Sequence, residues 1–443
     1  MSATLRSEAE ASPRRRPRDP VLPVGFIPAL FSGGDSRIAA DPRTGLNKYL
    51  CPMTPAPELV CASSCTASPI SARGFHRAAE AFAGIAAAAS PRQRMERLTA
   101  LTETTEARLL RYFGAGTLAQ AILCPSGTDA MLTTTLLLAA ERPDQAVTAI
   151  LPSAVETGTG VPLAAVGRVF DGPGSGTPLT GHAGQTVEIP IRSSDGSPRP
   201  GDAVNRDFAA AAAAAAGHAI VTLTHGSKTG LIAPVAPPDG VDVIVDACQA
   251  RIEPETVAAY LRRGWPVVVT GSKFFGGPAF SGAVLFPRDR RMAGLPPVPG
   301  EAVRLGTALR WTAALATIDA FEPLASGMAE VLAERGALIA QAITANPSLV
   351  RVEGLQPHGS GWADQPSIFT FGVRDPAYPR RLLSVAGLRP LYEQLARLGV
   401  LLGQPVGLGS FGGLRLALGA RDLLRSGEDD LARVFAALED VTG

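Results

Sequence analysis

The sequence predicts an α/β protein with a large domain, built on a mostly parallel sheet flanked by helices, plus a smaller α+β domain. Three observations predict it. Short apolar runs of strand length alternate with helical stretches through the middle of the chain, the pattern of parallel strands joined by crossover helices. After Arg310 that alternation gives way to separate strand and helix signals. With 443 residues, 46% of them hydrophobic, the chain can bury one large and one smaller core and is too apolar to be disordered.

The elements follow in order. Residues 1–20 (MSATLRSEAEASPRRRPRDP) are rich in arginine, proline and small polar residues and are expected to form a flexible tail. Residues 21–60 form an N-terminal segment expected to pack with the small domain. The large domain is assigned to residues 61–310 and the small one to 311–443. From Ser90 to Leu110, a serine at the N-cap and a proline at the first helical position open an amphipathic helix. Strand candidates QAILC, VTAILP, VDVIVDA and PVVVTG then alternate with helical stretches such as DAMLTTTLLLAAE and ETVAAYLRRG. The run Ala209–Ala216 predicts a helix packed on the sheet and stopped by Gly217, because alanine is the best helix former. WTAALATIDAFEPLASGMAEVLAERGALIAQAITA reads as one long helix or two, SIFTFGV and GLRLALGA as strands, and DLLRSGEDDLARVFAALEDV as a helical tail.

Composition excludes several function classes. The 41 basic and 40 acidic side chains nearly cancel, so no global field favours nucleic acid or an acidic membrane. No apolar run reaches the roughly 20 residues of a membrane-spanning helix. Five cysteines without a C-x-x-C pair point to a reducing, cytoplasmic setting. Cys61 and Cys65 lie four apart with no histidine spacing to complete a zinc site, and no metal is expected.

Three motifs sit where open α/β sheets place ligands, beyond the carboxyl ends of strands. CPSGTDAMLTTTLLLAA sets Ser126, Gly127 and Thr128 at a helix start, which either binds a phosphate on free backbone N–H groups or is an ordinary cap. VDVIVDACQA ends a strand in Asp246, whose carboxylate either pairs with a cationic ring nitrogen or caps the next helix. TGSKFFGGP places Lys273, one of only three lysines, after another apolar strand. It is either a surface lysine in a glycine-rich turn or an amine for carbonyl chemistry, which arginine cannot supply. Taken in order, an anion cradle, an acid and an amine are the parts a pyridoxal phosphate site needs.

This set resembles the fold type I pyridoxal-phosphate enzymes, and within them the class V aminotransferases and cysteine desulfurases, over roughly residues 60 to 420. The resemblance implies that Ser126-Gly127-Thr128 binds the cofactor phosphate, that Asp246 holds the pyridine nitrogen with Gln249 nearby, and that Thr270, Ser272 and Lys273 form the strand end whose lysine carries the cofactor as a Schiff base. THGSKTG resembles a segment crossing the site and implies His225 and Lys228 beside the substrate. Gly306 and Thr307 match a loop that, in dimers of the family, reaches the neighbouring subunit's phosphate. Arg415 in GGLRLALGA matches an arginine that forks onto a substrate α-carboxylate; read alone, it is equally a surface arginine alternating out of a strand.

The chain departs from the family in three places. Glu156 and Thr157 stand where members commonly stack a ring on the cofactor. Lys228 replaces a small polar residue. No cysteine follows Cys248, which disfavours desulfurase chemistry. The implied protein is a cytoplasmic homodimer with composite sites that acts on a small amino-acid substrate, binding neither nucleic acid nor membrane. Transamination in specialised metabolism is the leading expectation. Elimination or γ-replacement, as on a sulfonium amino acid such as S-adenosylmethionine, is the first alternative, and a non-catalytic regulator with this scaffold is the second.

Overall fold

The computed structural model describes residues 22–170, 176–179, 184–296, 299–425 and 428–442, and the tail expected over residues 1–20 lies outside them. Helix α1 (Phe26–Leu30) and strand β1 (Val60–Ala62) precede helices α2 (Ala72–Ala86) and α3 (Pro91–Tyr112) and strand β2 (Ala119–Cys124). The alternating half runs α4 (Gly127–Ala139), β3 (Val147–Pro152), α5 (Val161–Ala164), β4 (Gln185–Ile189), α6 (Gly201–Ala213), β5 (His218–His225), β6 (Ile232–Ala233), β7 (Asp242–Ala247), α7 (Pro254–Arg262), β8 (Val267–Thr270) and β9 (Gly282–Pro287). Then come α8 (Glu301–Phe321), α9 (Met328–Ala345), β10 (Leu349–Val352), β11 (Ile368–Asp375), β12 (Tyr378–Leu382), α10 (Val385–Arg397), β13 (Val400–Leu408), β14 (Phe411–Ala417), α11 (Ala420–Leu423) and α12 (Glu428–Thr442).

The larger sheet has the order β2-β9-β8-β7-β5-β3-β4, with β6 on β5. Strands β8, β7, β5, β3 and β4 pair in parallel, and β9 runs antiparallel to both β2 and β8. Every residue of β3, β8 and β9 is buried, as a sheet covered on both faces requires. The smaller sheet has the order β1-β13-β14-β11-β10, with β12 on β11, and is antiparallel apart from the β1–β13 pair.

Local chemistry explains the helix boundaries. Ser90 accepts the Gln93 N–H and Pro91 opens α3, as the sequence pattern predicts. The alanine run is helical only to Ala213, and Gly217 follows with φ +89°. That helix is anchored by buried Val204 and Phe208, while Ala209 and Ala210 face solvent. The long apolar stretch after Arg310 resolves into two helices, α8 and α9, separated by a 3-10 segment at Glu322–Gly327 that contains Pro323.

Residue 310 lies inside α8, which packs along α2 and α3. The N-terminal segment also divides. Phe26 and Leu30 of α1 pack with Phe75, Phe82 and Leu309 of α2 and α8, whereas the end of the segment leads into β1 of the smaller sheet. No helix among the described residues is long and apolar enough to cross a membrane.

Candidate active site

The parallel strands end on one side of the larger sheet, and adjacent registers bring their last residues together: Thr224 stands opposite Asp246, and Asp246 opposite Val268. Beyond these ends lies a cavity of about 400 Å³. Ser126, Gly127 and Thr128 at the start of α4, Asp246 and Gln249 after β7, and Thr270, Ser272 and Lys273 after β8 all line it, joined by Lys228 and Arg415. Three segments spread over residues 126–273 thus form one wall.

At the helix start, Ser126 is the N-cap: its hydroxyl accepts the Asp129 N–H at 3.2 Å and donates to Asp129 Oδ2 at 2.6 Å. The cap and the cavity-lining roles coincide, since the first turn of α4 still points unpaired N–H groups outward. A side chain at Gly127 would place its Cβ 2.7 Å from Cys248 Sγ, so the close approach of this turn to the β7 strand end requires glycine.

Asp246 is 6% exposed. Its Oδ1 accepts the Cys248 N–H at 3.0 Å. Burial raises its pKa, while hydrogen bonds from the Cys248 side chain and N–H and the charge of nearby Lys273 act in the opposite direction. Lys273 Nζ donates to Thr66 O at 2.6 Å, and burial lowers its pKa to about 8. A buried amine whose pKa is brought down towards neutrality releases its proton, and so becomes a nucleophile, far more readily than an exposed lysine.

Arg415 is 2% exposed, which removes the reading of a surface arginine. Its guanidinium donates to Thr66 Oγ1 at 2.9 Å, to Gln404 O at 2.7 Å and to Lys228 O at 3.0 Å, so its acceptors are neutral. Lys228 Nζ donates to Ala154 O at 3.0 Å. Both ends of the Gln249 amide are engaged, Nε2 donating to Cys65 O at 3.1 Å and Oε1 accepting from Arg251 at 3.0 Å. Thr270 Oγ1 donates to Cys248 O at 2.7 Å.

Three expected residues are not in the cavity. His225 faces the other side of β5, with Nδ1 3.1 Å from the Tyr260 hydroxyl, while its neighbours Thr224 and Gly226 line the cavity. The pleat explains this, because successive residues of a strand point to opposite faces. Burial lowers the His225 pKa to about 4, leaving the ring neutral. Gly306 and Thr307 lie within α8 and not in a loop. Thr307 is 3% exposed and accepts from Arg310 at 3.3 Å; a side chain at Gly306 would run into the Ser32 carbonyl. The good helix formers around this pair carry the helix through it.

Glu156 lines the cavity but is committed behind it. Its carboxylate pairs with Arg192 at 2.8 Å and accepts from Ser227 at 2.6 Å and from Thr229, a buried network that fixes the loop carrying Lys228. Sequence reasoning missed Arg37, Tyr49, Thr66 and Phe280, which also line the cavity. The rings therefore come from the N-terminal segment and from the loop after β8, not from the Glu156 neighbourhood. Phe280 has φ +69°, a strained geometry for a bulky residue and the one local oddity marking the wall. Thr66 carried no signal beyond its place in a small-residue stretch.

The fit of a phosphorylated pyridine aldehyde rests on the donors present. Thr157 Oγ1 and Thr224 Oγ1 are buried at the cavity without a hydrogen-bond partner among the described residues. A helix N-terminus, the buried Asp246 carboxylate and a buried low-pKa amine complete the set. These residues suit such a group.

No protein-family model matches the sequence, and no curated protein matches it. Among solved structures, the chain is similar to the cysteine desulfurase CsdA from Escherichia coli, at 16% identity over 87% of this chain and 94% of that one, with a TM-score of 0.55. A NifS-like protein is 12% identical over 86% and 99% of the two chains, with a TM-score of 0.58. A cysteine desulfurase from Thermococcus onnurineus is 12% identical over 87% and 95%, with a TM-score of 0.55. The chain has the fold of these proteins.

Proposed function

We propose that this chain is a pyridoxal-phosphate-dependent enzyme acting on an α-amino acid. One observation carries the proposal. Lys273, Asp246 and the α4 N-terminus, motifs from separate parts of the sequence, line a single cavity at the carboxyl ends of the parallel strands. The shared fold with cysteine desulfurases supports it.

In this reading the start of α4 holds the phosphate through the N–H groups at Gly127 and Thr128. Asp246 faces the pyridine nitrogen, and Lys273 is the anchoring amine. When bound, the cofactor supplies an aldehyde for amine condensation and a ring that accepts electrons from Cα. The remaining work falls to the chain. Arg415 binds the substrate α-carboxylate, since its planar fork is buried and satisfied only by neutral acceptors. Lys273, with its pKa near 8, takes the proton at Cα on Nζ and returns it. The Asp246 charge is worth most where it is desolvated, and the residue is buried.

Transamination is the reaction this reading favours. Elimination or replacement is the second reading, favoured by Lys228, a cation beside Arg415 that transfer of an amino group alone does not require. To test the proposal, purified protein is incubated with a panel of amino acids, including S-adenosylmethionine, while the cofactor spectrum is followed and products are identified by mass spectrometry. A keto acid with pyridoxamine phosphate indicates transamination; loss of a β or γ substituent indicates elimination or replacement. A colourless protein that takes up no added cofactor contradicts the proposal.

A further inference from the structure

Six cations line the cavity: Arg37, Lys48, Lys228, Lys273, Arg389 and Arg415. Two acids accompany them, and neither neutralises the group. Asp246 is assigned to the cofactor ring, and Glu156 is spent on Arg192. Arg37 is paired with Asp35 at 2.7 Å. Given the roles above for Lys273 and Arg415, Lys228, Lys48 and Arg389 remain, and among the described residues none of the three has a carboxylate within ion-pair distance.

Their placement is not scattered. Arg415 donates to Lys228 O at 3.0 Å on one side. On the other it donates to Gln404 O, and the Gln404 amide in turn donates to Lys48 O at 3.1 Å. Both lysine-bearing segments are therefore tied to the arginine assigned to the α-carboxylate. Lys48 and Arg389 are exposed at the rim, whereas Lys228 is largely covered, with one acceptor for its three ammonium hydrogens. Burial, then Arg415, lower its pKa to about 8. Two covered cations side by side raise each other's energy, an effect that the charge of Glu156, itself paired with Arg192, offsets only in part, and an arriving anion relieves both.

We propose that the substrate is an α-amino acid carrying a second anionic group on its side chain, received by Lys228 and drawn in by Lys48 and Arg389. This rests on the reading of the cavity as a pyridoxal phosphate site with Arg415 on the α-carboxylate. Charge-assisted bonds of a covered ammonium contribute enough to favour an acidic side chain over its neutral isostere by roughly tenfold or more. The exposed pair adds a smaller, salt-sensitive part.

The test is equilibrium binding to the cofactor-loaded protein, read as the change in cofactor absorbance and checked by calorimetry. L-Glutamate is compared with L-glutamine, L-aspartate with L-asparagine, and O-phospho-L-serine with L-serine; the first two pairs report on a carboxylate and the third on a phosphate. At least one acid should bind tenfold or more tightly than its neutral partner. In Lys228→Met that ratio should fall to the few-fold that Lys48 and Arg389 supply, with retained cofactor absorbance showing that the site is intact. The rim variant Lys48→Ala with Arg389→Ala, which leaves the interior untouched, should lower the ratio a few-fold and reduce its salt dependence. Equal binding within every pair, with a normal absorbance response, overturns this inference and leaves the cofactor site standing. A ratio unchanged in Lys228→Met overturns the assignment to that lysine. No absorbance response to any amino acid overturns the enzyme reading and this inference with it.

Discussion

Lys273 and Arg415 converge on the same residue: the lysine ammonium donates to Thr66 O at 2.6 Å, and the guanidinium donates to Thr66 Oγ1 at 2.9 Å. Lys273 follows a strand of the larger sheet and Arg415 sits in the smaller one, so Thr66 sets the spacing between the anchoring amine and the carboxylate clamp. Thr66 Oγ1 also accepts the Gln404 N–H at 3.1 Å, which fixes the hydroxyl.

Thr66→Val keeps the side-chain shape and removes the acceptor from Arg415. The predicted result is a KM raised by roughly tenfold with a smaller change in kcat, because a charge-assisted bond that aims the clamp is lost while the contact to the Thr66 carbonyl remains. Thr66→Ser should restore KM. A purely structural role would lower both parameters in parallel with stability.

Asp246→Asn retains the acceptor for the Cys248 N–H and loses the charge. The variant should fold and keep cofactor, and its kcat should fall by about 10²-fold, the scale of removing a strong electrostatic contributor from a covered site. If the residue only caps the chain, asparagine serves nearly as well, and near-normal turnover identifies that case.

His225→Gln tests the placement of this ring away from the cavity. Its kcat/KM should stay within about threefold of the parent, and unfolding should show a loss of about 1 kcal/mol from the contact to Tyr260. A loss of activity with unchanged stability would put His225 back at the substrate.

The pH dependence follows from Lys273. Its pKa is depressed from 10.5 to about 8, so the charged form dominates below pH 8 and the neutral, nucleophilic form above it. Uptake of pyridoxal phosphate by cofactor-free protein should therefore speed up as pH rises towards 8 and level off above it, followed by stopped-flow absorbance. The sign for stability is the same. Between pH 8 and 10.5 the unfolded chain binds the proton that the folded one releases, so the cost of burying Lys273, fully present below pH 8, is relieved progressively across that window. Uptake still rising steeply between pH 9 and 10 would mean an unshifted amine.

The polar strand ends were legible because each motif combines a buried strand with a side chain that has no business in a core. Asp246 and Lys273 stand out against VDVIVD and PVVVTG for that reason. His225 misled because one step along a pleated strand exchanges the two faces, and THG does not say which face carries the ring. The resemblance implied a loop at Gly306-Thr307, but the surrounding alanine, leucine and arginine sustain a helix at a cost of about 1 kcal/mol for the glycine. Thr66, Arg37 and Tyr49 were invisible: Thr66 follows β1, which pairs with β13 across 340 residues of sequence (400 − 60), and Arg37 and Tyr49 pack beside Phe280, contacts that no local pattern encodes. The two-sheet organisation was readable from the switch in periodicity near Arg310, although α8 runs through that point.

Everything in this account turns on which amine carries the cofactor, and the chain offers two with pKa values near 8, Lys273 and Lys228. Lys273 is the one whose charge is felt at Asp246, as an amine and an acid serving opposite ends of one ring must be. Borohydride reduction of the cofactor-loaded protein, followed by proteolysis and mass spectrometry, locates the pyridoxyl group directly. The prediction is a single modified peptide bearing it on Lys273; a pyridoxyl group on Lys228, or no modification of either lysine in a yellow protein, would contradict the site as described.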